Sequence, residues 1–198
     1  GMILQMKSVM IVGVGGQGTL LASRVLGRVM LDAGYDVKVS EVHGMSQRGG
    51  SVVTYVKYGD KVYSPLVDRG EADYILSFER LEAARWLGWL KKGGELIVND
   101  QRINPMPVIT GAASYPDGIL EKIKALGVNM VSADALSLAL EAGSSKAVNV
   151  VLIGILASIM DLPEDVWMKA IEDNVKPRFV EMNKKAFALG YAKGKSRS

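Results

Sequence analysis

The chain contains no cysteine and only one histidine, His43. Without thiolates it cannot build a disulfide, a zinc–thiolate site or an iron–sulfur cluster from its own residues. A metal site on His43 would need help from carboxylates. These absences exclude an electron-transfer protein that carries its own iron–sulfur centre.

Long apolar runs and dense basic blocks are also missing. The longest apolar stretch, residues 147–160, contains Asn149 and Gly154 and is too short to span a bilayer. No secretory signal is visible, so we expect a cytoplasmic protein without a membrane partner. The formal net charge is only +3, and basic residues cluster only at 193–197. We therefore expect no nucleic-acid partner, and a flexible basic tail over residues 193–198.

Glycine is plentiful, and a six-residue segment near the N-terminus is rich in it. This segment separates a buried strand at 9–12 from an amphipathic helix at 19–33, and reads Gly13-Val14-Gly15-Gly16-Gln17-Gly18. Such a turn points backbone N–H groups outward at the positive end of a helix dipole, which favours a phosphate or another anion.

Two interpretations of this glycine loop stay open. The spacing fits a dinucleotide fingerprint, in which Glu41, at the end of the second strand, would hold a ribose hydroxyl. Alternatively the glycines only permit a tight turn and close helix–strand packing. Gln17 fits the second interpretation poorly, since its polar amide should reach a ligand or a neighbouring loop.

A second polar, glycine-rich loop covers residues 41–50 and should lie beside the first. It contains Ser46, Gln47, Arg48 and Gly49. Arg48 has the geometry to bind a phosphate or carboxylate through two hydrogen bonds. The alternative is a surface loop in which Arg48 pairs with Glu41. His43 is more typical of a hydrogen-bonded loop histidine than of a catalytic base.

The remaining pattern predicts an α/β fold. Strands are expected at 37–40, 51–58, 72–78, 95–99 and 128–131, with a turn at 59–60 into Val62-Tyr63 and a short edge strand at 107–110. Helices are expected at 79–90, ended by Gly93-Gly94, at 117–126, 133–142 and 146–160, and after Pro163 and Pro177, the last ending at Gly190. No helix fits between 41 and 73, so part of the sheet should be antiparallel. We predict one three-layer α/β/α domain over 2–192, with a mixed, mostly parallel sheet and a helical C-terminal third.

Two further polar or aromatic groups have ordinary structural interpretations. Lys146 and Asn149, before an apolar helix, are interpreted as a snorkelling lysine and a cap. Trp86 and Trp89 are interpreted as core or subunit-interface residues.

The two glycine loops together, Gly13–Gly18 and Ser40–Ser51, resemble the gamma subunit, or gamma domain, of 2-oxoacid:ferredoxin oxidoreductases. Segments 73–78, 93–99, 146–154 and 183–190 are also similar, so the likeness covers nearly the whole chain. Within the second loop, residues 45–48 resemble the indolepyruvate-type branch, whose small subunit is called beta.

The resemblance implies a Rossmann-like, non-catalytic subunit of an enzyme that oxidatively decarboxylates a 2-oxoacid to an acyl-CoA. Thiamine diphosphate and the iron–sulfur clusters would lie in large partner subunits, and electrons would pass to ferredoxin. The chain would pack on the thiamine-binding parts on the coenzyme A side, and would be inactive alone. No residue is expected to be catalytic or to bind a metal. Contacts to coenzyme A or another anion are assigned to Gly13, Gly15, Gly16, Gln17, Gly18, Glu41, Ser46, Gln47, Arg48 and Gly49.

Two other functions stay open. One is a free-standing NAD(P)-dependent dehydrogenase that uses Glu41 as its ribose ligand. Against it, residues 41–72 lack the helix of a doubly wound nucleotide-binding half, and little chain is left for a substrate domain. The other is a nucleotide-binding or scaffold module without a redox role. The sequence leaves open which 2-oxoacid is used and whether the isolated chain forms a homodimer.

Overall fold

The computed structural model describes residues 6–43 and 50–197, with His43 described only in its backbone. One six-stranded sheet, in the order β2-β3-β1-β4-β5-β6, forms its centre. The strands are β1 (Lys7–Val14), β2 (Asp36–His43), β3 (Ser51–Gly59), β4 (Ala72–Ser77), β5 (Leu90–Asn99) and β6 (Asn129–Ala133).

Helices cover both faces of this sheet. They are α1 (Thr19–Asp32), α2 (Arg80–Trp86), α3 (Met106–Ile109), α4 (Ile119–Ala125), α5 (Ala135–Ala142), α6 (Val148–Ile159), α7 (Glu164–Asn174) and α8 (Val180–Ser196). Single 3₁₀ turns at Leu87–Trp89, Ser145–Ala147 and Pro177–Phe179 follow α2 and precede α6 and α8. Of the helices in the C-terminal third, the last two were predicted from prolines that suit a first helical turn.

Alternation along the strands divides the core into two clusters. In β1, Val9 and Ile11 face the cluster that contains α1, α6, α7 and α8, whereas Met10 and Val12 face the cluster that contains α2 and α4. Side chains on successive strand residues point to opposite faces, so a central strand that is buried on both faces reads as a continuous apolar run. The predicted three-layer arrangement is confirmed.

The sheet is mixed because β3 runs antiparallel to both β1 and β2. The pairs β1–β4, β4–β5 and β5–β6 are parallel. No helix occurs between β2 and β4 in the described part of that segment. This confirms the prediction made from the helix-free stretch, since an antiparallel neighbour needs no crossover helix.

The order of the strands creates a crevice between β1 and β4. The helix that follows β1 packs on one face of the sheet, and the helix that follows β4 packs on the other. The loops at the carboxyl ends of these two parallel strands therefore diverge. Ligands of open α/β sheets bind at such a switch point.

Small residues allow α6 and α8 to lie in very close contact. A Cβ atom on Gly190 would overlap the carbonyl oxygen of Val151, and one on Gly154 would overlap that of Phe187. The α8 helix therefore continues through Gly190 to Ser196, and the prediction that it ends at Gly190 is wrong. This glycine serves close helix packing rather than a stop, and the helix includes residues 193–196, which were predicted to be a flexible tail.

Two other predicted boundaries are wrong. Residues 107–109 belong to the short helix α3 and Thr110 is its C-cap, so the predicted edge strand is absent. Pro105 and Pro107 suit a first helical turn and cannot donate to a ladder. The helix that begins at Arg80 ends at Trp86, and Gly93-Gly94 lie inside β5. A Cβ at Gly94 would lie 2.9 Å from the Asp73 carbonyl oxygen, so the strand needs glycine where β4 approaches closely.

The segment after β3 carries no regular structure at residues 62–63, which follow the turn predicted at 59–60. Val62 is buried, and its N–H donates to the Asp36 carboxyl group at 2.8 Å. The Asp36 carboxylate thus accepts the hydrogen bond that a neighbouring strand would otherwise accept from the Val62 N–H.

Candidate functional site

A cleft of about 440 Å³ lies at the carboxyl ends of the parallel strands, beside the β1–β4 crevice. Its walls come from the glycine loop, the segment after β5, the start of α5 and the segment that leads into α6. The lining residues are Gly16, Gln17, Gly18, Gln101, Ile103, Leu136, Ser145, Lys146, Val148 and Asn149.

Left-handed glycines and one glutamine shape the glycine loop. Gly16 and Gly18 have φ of 93° and 85°, which residues with a Cβ rarely adopt. Gln17 Oε1 accepts from the Val14 N–H at 2.7 Å, and its Nε2 donates to the Phe78 carbonyl at 3.1 Å. The Gln17 amide therefore reaches a neighbouring loop, one of its two predicted targets, and ties the end of β1 to the end of β4.

The N-cap of α1 lines this cleft. Gly18 is the N-cap of α1, and no described side chain caps it. Asn149 Nδ2 contacts the Gly18 carbonyl at 3.4 Å, and a Cβ on Gly18 would lie 2.8 Å from the same nitrogen. Asn149 is buried and lies inside the first turn of α6, whose N-cap is Ala147, so the cap role predicted for Asn149 is wrong. It instead holds the N-termini of α1 and α6 together.

Lys146 brings a positive charge to the cleft, on the 3₁₀ turn before α6. Its side chain is exposed, and among residues 6–43 and 50–197 no carboxylate pairs with it. A helix N-terminus without a side-chain cap and an ammonium group beside the same cleft make its surroundings positive. The sequence predicted a snorkelling role for Lys146 and did not predict that it lines this cleft.

The second predicted loop meets the first through Gly50, whose carbonyl accepts from the Gly15 N–H at 3.0 Å. The placement of the two loops side by side is thus confirmed at Gly50. The assigned residues Ser46, Gln47, Arg48 and Gly49 lie outside the described residues. So does the proposed Arg48–Glu41 ion pair.

Glu41 does not lie on the cleft. It sits on the edge strand β2, and β3 separates that strand from β1. Glu41 instead lines a different groove on the outer side of α1, together with Leu20, Arg24 and Val39. A ribose held against the glycine loop would need an acid on the strand adjacent to β1, so this topology argues against the dinucleotide role.

Behind the cleft, Glu79 anchors the segment between β5 and α4. Its carboxyl group is almost fully buried and accepts hydrogen bonds from the Tyr115 hydroxyl at 2.6 Å and from the Ile103 N–H at 3.1 Å. It also caps α2 by accepting from the Glu82 N–H at 2.9 Å. One side chain thus fixes a cleft residue, Ile103, to the end of β4.

Asn99 supports the cleft in the same way. Its Nδ2 donates to the Phe78 carbonyl at 3.2 Å and to Gln101 Oε1 at 2.8 Å, while its Oδ1 accepts from the Ala135 N–H at 3.2 Å. The carboxyl ends of β4, β5 and β6 are therefore joined through one buried amide. Hydrogen-bonded groups of this kind hold a site rigid.

Glu82 and Trp86 anchor the end of the second loop. Glu82 Oε2 accepts from the Ser51 hydroxyl at 2.6 Å and from Trp86 Nε1 at 3.2 Å. The Trp86 and Trp89 rings meet edge to face with centroids 4.8 Å apart. Trp86 is partly buried and packs against the core cluster that contains α2, which fits one of its two predicted roles, core or subunit interface.

Burial raises the pKa of the Tyr115 phenol, and the hydrogen bond and charge of Glu79 raise it further. In the unfolded chain this group loses its proton at about pH 10, whereas the folded chain retains it. Above about pH 10 the unfolded state therefore binds fewer protons, so rising pH favours unfolding. Urea titrations of the parent and of Tyr115→Phe should show a stability difference that is constant below about pH 9 and shrinks above about pH 10. A difference that does not vary with pH would contradict this assignment.

Sequence reasoning missed the support of the cleft. Glu79, Asn99 and Tyr115 were not singled out, nor were the lining residues Gln101, Ile103 and Leu136. A signal existed, because Glu79 and Asn99 are polar residues at the carboxyl ends of buried strands, where site residues of parallel sheets occur.

Metal and membrane features are absent from the described residues. No group of three or more His, Cys, Asp or Glu side chains within 6–43 and 50–197 is arranged to hold a metal ion. In the same ranges, no helix combines the length and apolar character that a bilayer crossing requires.

Comparison with known proteins identifies the family. Residues 8–193 match the family described as pyruvate ferredoxin/flavodoxin oxidoreductase. The chain is 45% identical over 190 residues to indolepyruvate oxidoreductase subunit IorB of Thermococcus kodakarensis, covering 92% of this chain and 93% of that protein. It is 46% identical, with the same coverage, to IorB of Pyrococcus horikoshii.

Solved structures share the fold. The gamma subunit of a keto/oxoacid ferredoxin oxidoreductase from Geobacter sulfurreducens superposes with a TM-score of 0.73 at 22% identity, covering 96% of this chain and 99% of that one. A 2-oxoglutarate:ferredoxin oxidoreductase from Magnetococcus marinus, solved with 2-oxoglutarate, coenzyme A and succinyl-CoA, gives 0.75 at 19% identity, covering 98% of this chain and 32% of that one.

The predicted fold and the predicted role as a subunit of a 2-oxoacid ferredoxin oxidoreductase are confirmed by these matches. The family match extends from β1 into α8, well beyond the glycine loop. The chain therefore belongs to the pyruvate ferredoxin/flavodoxin oxidoreductase family.

Proposed function

We propose that this chain is the small subunit of an indolepyruvate ferredoxin oxidoreductase. The observation that carries the proposal is the 45–46% identity to IorB subunits over more than nine-tenths of both chains. The thiamine diphosphate and the iron–sulfur clusters belong to the large partner subunit. The small subunit contributes the cleft face, and the partner completes the site.

The cleft is suited to an anionic group of coenzyme A. The glycine loop that leads into α1 and the Lys146 side chain both line this cleft. Donors of these kinds bind phosphate, through the helix dipole and through charge-assisted hydrogen bonds. Ile103, Leu136 and Val148 add apolar surface to the same cleft. A phosphate of coenzyme A would lie against Gly16–Gly18, and its apolar portion against these three residues.

Assembly tests the subunit role. The chain, carrying an affinity tag, is co-expressed with the large subunit of the same enzyme, and the eluate is analysed by size exclusion. We expect a stable complex of both chains. If the two chains elute separately at micromolar concentration, with each one folded, the proposal fails.

Charge reversal at Lys146 tests the anion site. In the assembled enzyme, Lys146→Glu should raise the KM for coenzyme A about tenfold, because it replaces an attraction to phosphate by a repulsion. The KM for the 2-oxoacid should stay unchanged. Lys169→Glu, the same change at an exposed position of α7, serves as the matched control. Equal KM values for coenzyme A in both variants would contradict the site.

A free-standing NAD(P)-dependent dehydrogenase is the second candidate, and only the glycine spacing favours it. Calorimetric titration of the isolated chain with NAD(H) and NADP(H) should give no heat of binding above dilution. Micromolar binding of either nucleotide would favour the dehydrogenase.

A further inference from the structure

The strand β6 is an open edge of the sheet with positive charge on both sides. It is last in the strand order, and among the described strands only β5 pairs with it. A groove of about 330 Å³ runs along this edge. It is lined by Lys124, Val128, Asn129, Met130, Val131, Ser132, Lys193 and Arg197.

The backbone of β6 presents unused hydrogen-bonding groups to this groove. The Ala133 carbonyl accepts from the Asp100 N–H at 2.8 Å and therefore faces β5. Because N–H and C=O groups alternate sides along a strand, Val131 and Asn129 also face β5, whereas Met130 and Ser132 face outward. Each of these two residues offers one donor and one acceptor to an added strand.

The basic side chains come from opposite layers of the fold. Lys124 belongs to α4, which packs on one face of the sheet, and Lys193 belongs to α8, which packs on the other. Arg197 forms an ion pair with Glu95, so part of its charge is compensated. Within 6–43 and 50–197, no carboxylate pairs with Lys124 or Lys193.

The open strand edge and the lysines on either side of it together indicate what kind of segment would bind there. An extended strand alternates its side chains between the two faces, so acidic residues on either face would meet a lysine. A second copy of this chain, paired edge to edge through β6, would instead bring like charges together. We propose that the β6 edge docks an extended acidic segment of a partner polypeptide, which adds to the sheet as a seventh strand.

A fluorescently labelled peptide in which glutamate alternates with threonine tests this proposal by anisotropy with the full chain. Binding should weaken as salt rises, because surface charge pairs are screened. The double variant Lys124→Glu/Lys193→Glu should weaken it at least about fivefold. Lys185→Glu, on the exposed side of α8 and outside the groove, should leave it unchanged.

The backbone contribution is tested separately. Ser132→Pro removes one outward N–H while keeping the hydrogen bonds to β5, and should weaken binding about fivefold. If this variant does not fold, the parent chain with a backbone N-methylated peptide of the same sequence gives the same readout. Strand addition predicts that the methylated peptide binds at least about tenfold more weakly.

Any one of four results would overturn the proposal. The glutamate peptide fails to bind at low salt, or the lysine reversals weaken its binding no more than Lys185→Glu does. The N-methylated peptide binds as tightly as the parent peptide, or a single-stranded oligonucleotide of the same charge competes equally well. Either of these last two results would show a general polyanion surface.

Discussion

Gly190→Ala is expected to destabilise the chain by about 3 kcal/mol. The added Cβ would overlap the Val151 carbonyl oxygen and would lie 3.2 Å from the Ile155 nitrogen. Both neighbours are backbone atoms of α6 and cannot rotate away, so α6 and α8 must separate. Overpacking in a buried interface typically costs about 1–3 kcal/mol and sometimes more. For a chain of this size, that lowers the thermal midpoint by about 6–12 °C.

Gly27→Ala is the matched control, because it makes the same change inside another helix. A Cβ at Gly27 would meet only Val39 Cγ2, at an ordinary contact distance of 3.7 Å. The better helix propensity of alanine should then stabilise the chain by about 0.5–1 kcal/mol. The two melts, followed by circular dichroism, should therefore shift in opposite directions. Equal shifts would show that α6 and α8 do not depend on this close contact.

Glu79→Ala is expected to cost about 3–5 kcal/mol of unfolding free energy. The Glu79 carboxyl group is 1% exposed and accepts hydrogen bonds from Tyr115, Ile103 and Glu82. Removing this carboxyl group leaves buried hydrogen-bond donors without a partner, and each unpaired donor costs about 1–3 kcal/mol. Urea denaturation of the isolated chain measures the change.

Two variants define the Glu79 effect. Glu141→Ala removes an exposed carboxylate from α5 and should change stability by less than about 0.5 kcal/mol. Glu79→Gln keeps the side-chain volume and one oxygen acceptor, so its cost should lie between those of the other two. If Glu79→Ala is no more damaging than Glu141→Ala, the cleft does not rest on this group.

The sheet was predictable because its strands carry strong local signals. The apolar run 9–12 and the alternation at 51–58 mark buried strands, and the helix-free stretch between 41 and 73 implies antiparallel pairing. Local sequence signals did not predict what the glycines in the sheet and in α8 do. Gly94 and Gly190 are required by backbones distant in sequence, which approach Asp73 and Val151. Glycine is favoured both in a turn and where two backbones come into close contact, and only the fold shows which of these a given glycine serves.

The candidate site was predictable to a smaller extent. The glycine loop and its contact with Gly50 follow from the strand–turn–helix pattern. Glu41 was assigned to the same site because the sequence does not show that β3 inserts between β1 and β2. Lys146 reaches the cleft from more than a hundred residues further along the chain. No local spacing encodes that approach.

Reconstituted activity tests the central claim most directly. The purified large subunit is assayed for indolepyruvate- and coenzyme A-dependent reduction of a viologen dye, with and without this chain at a matched molar ratio. We predict that reduction depends on adding the chain and saturates at equimolar amounts. Full activity of the large subunit alone, or an inactive equimolar mixture in which both chains are folded and assembled, would contradict the assignment.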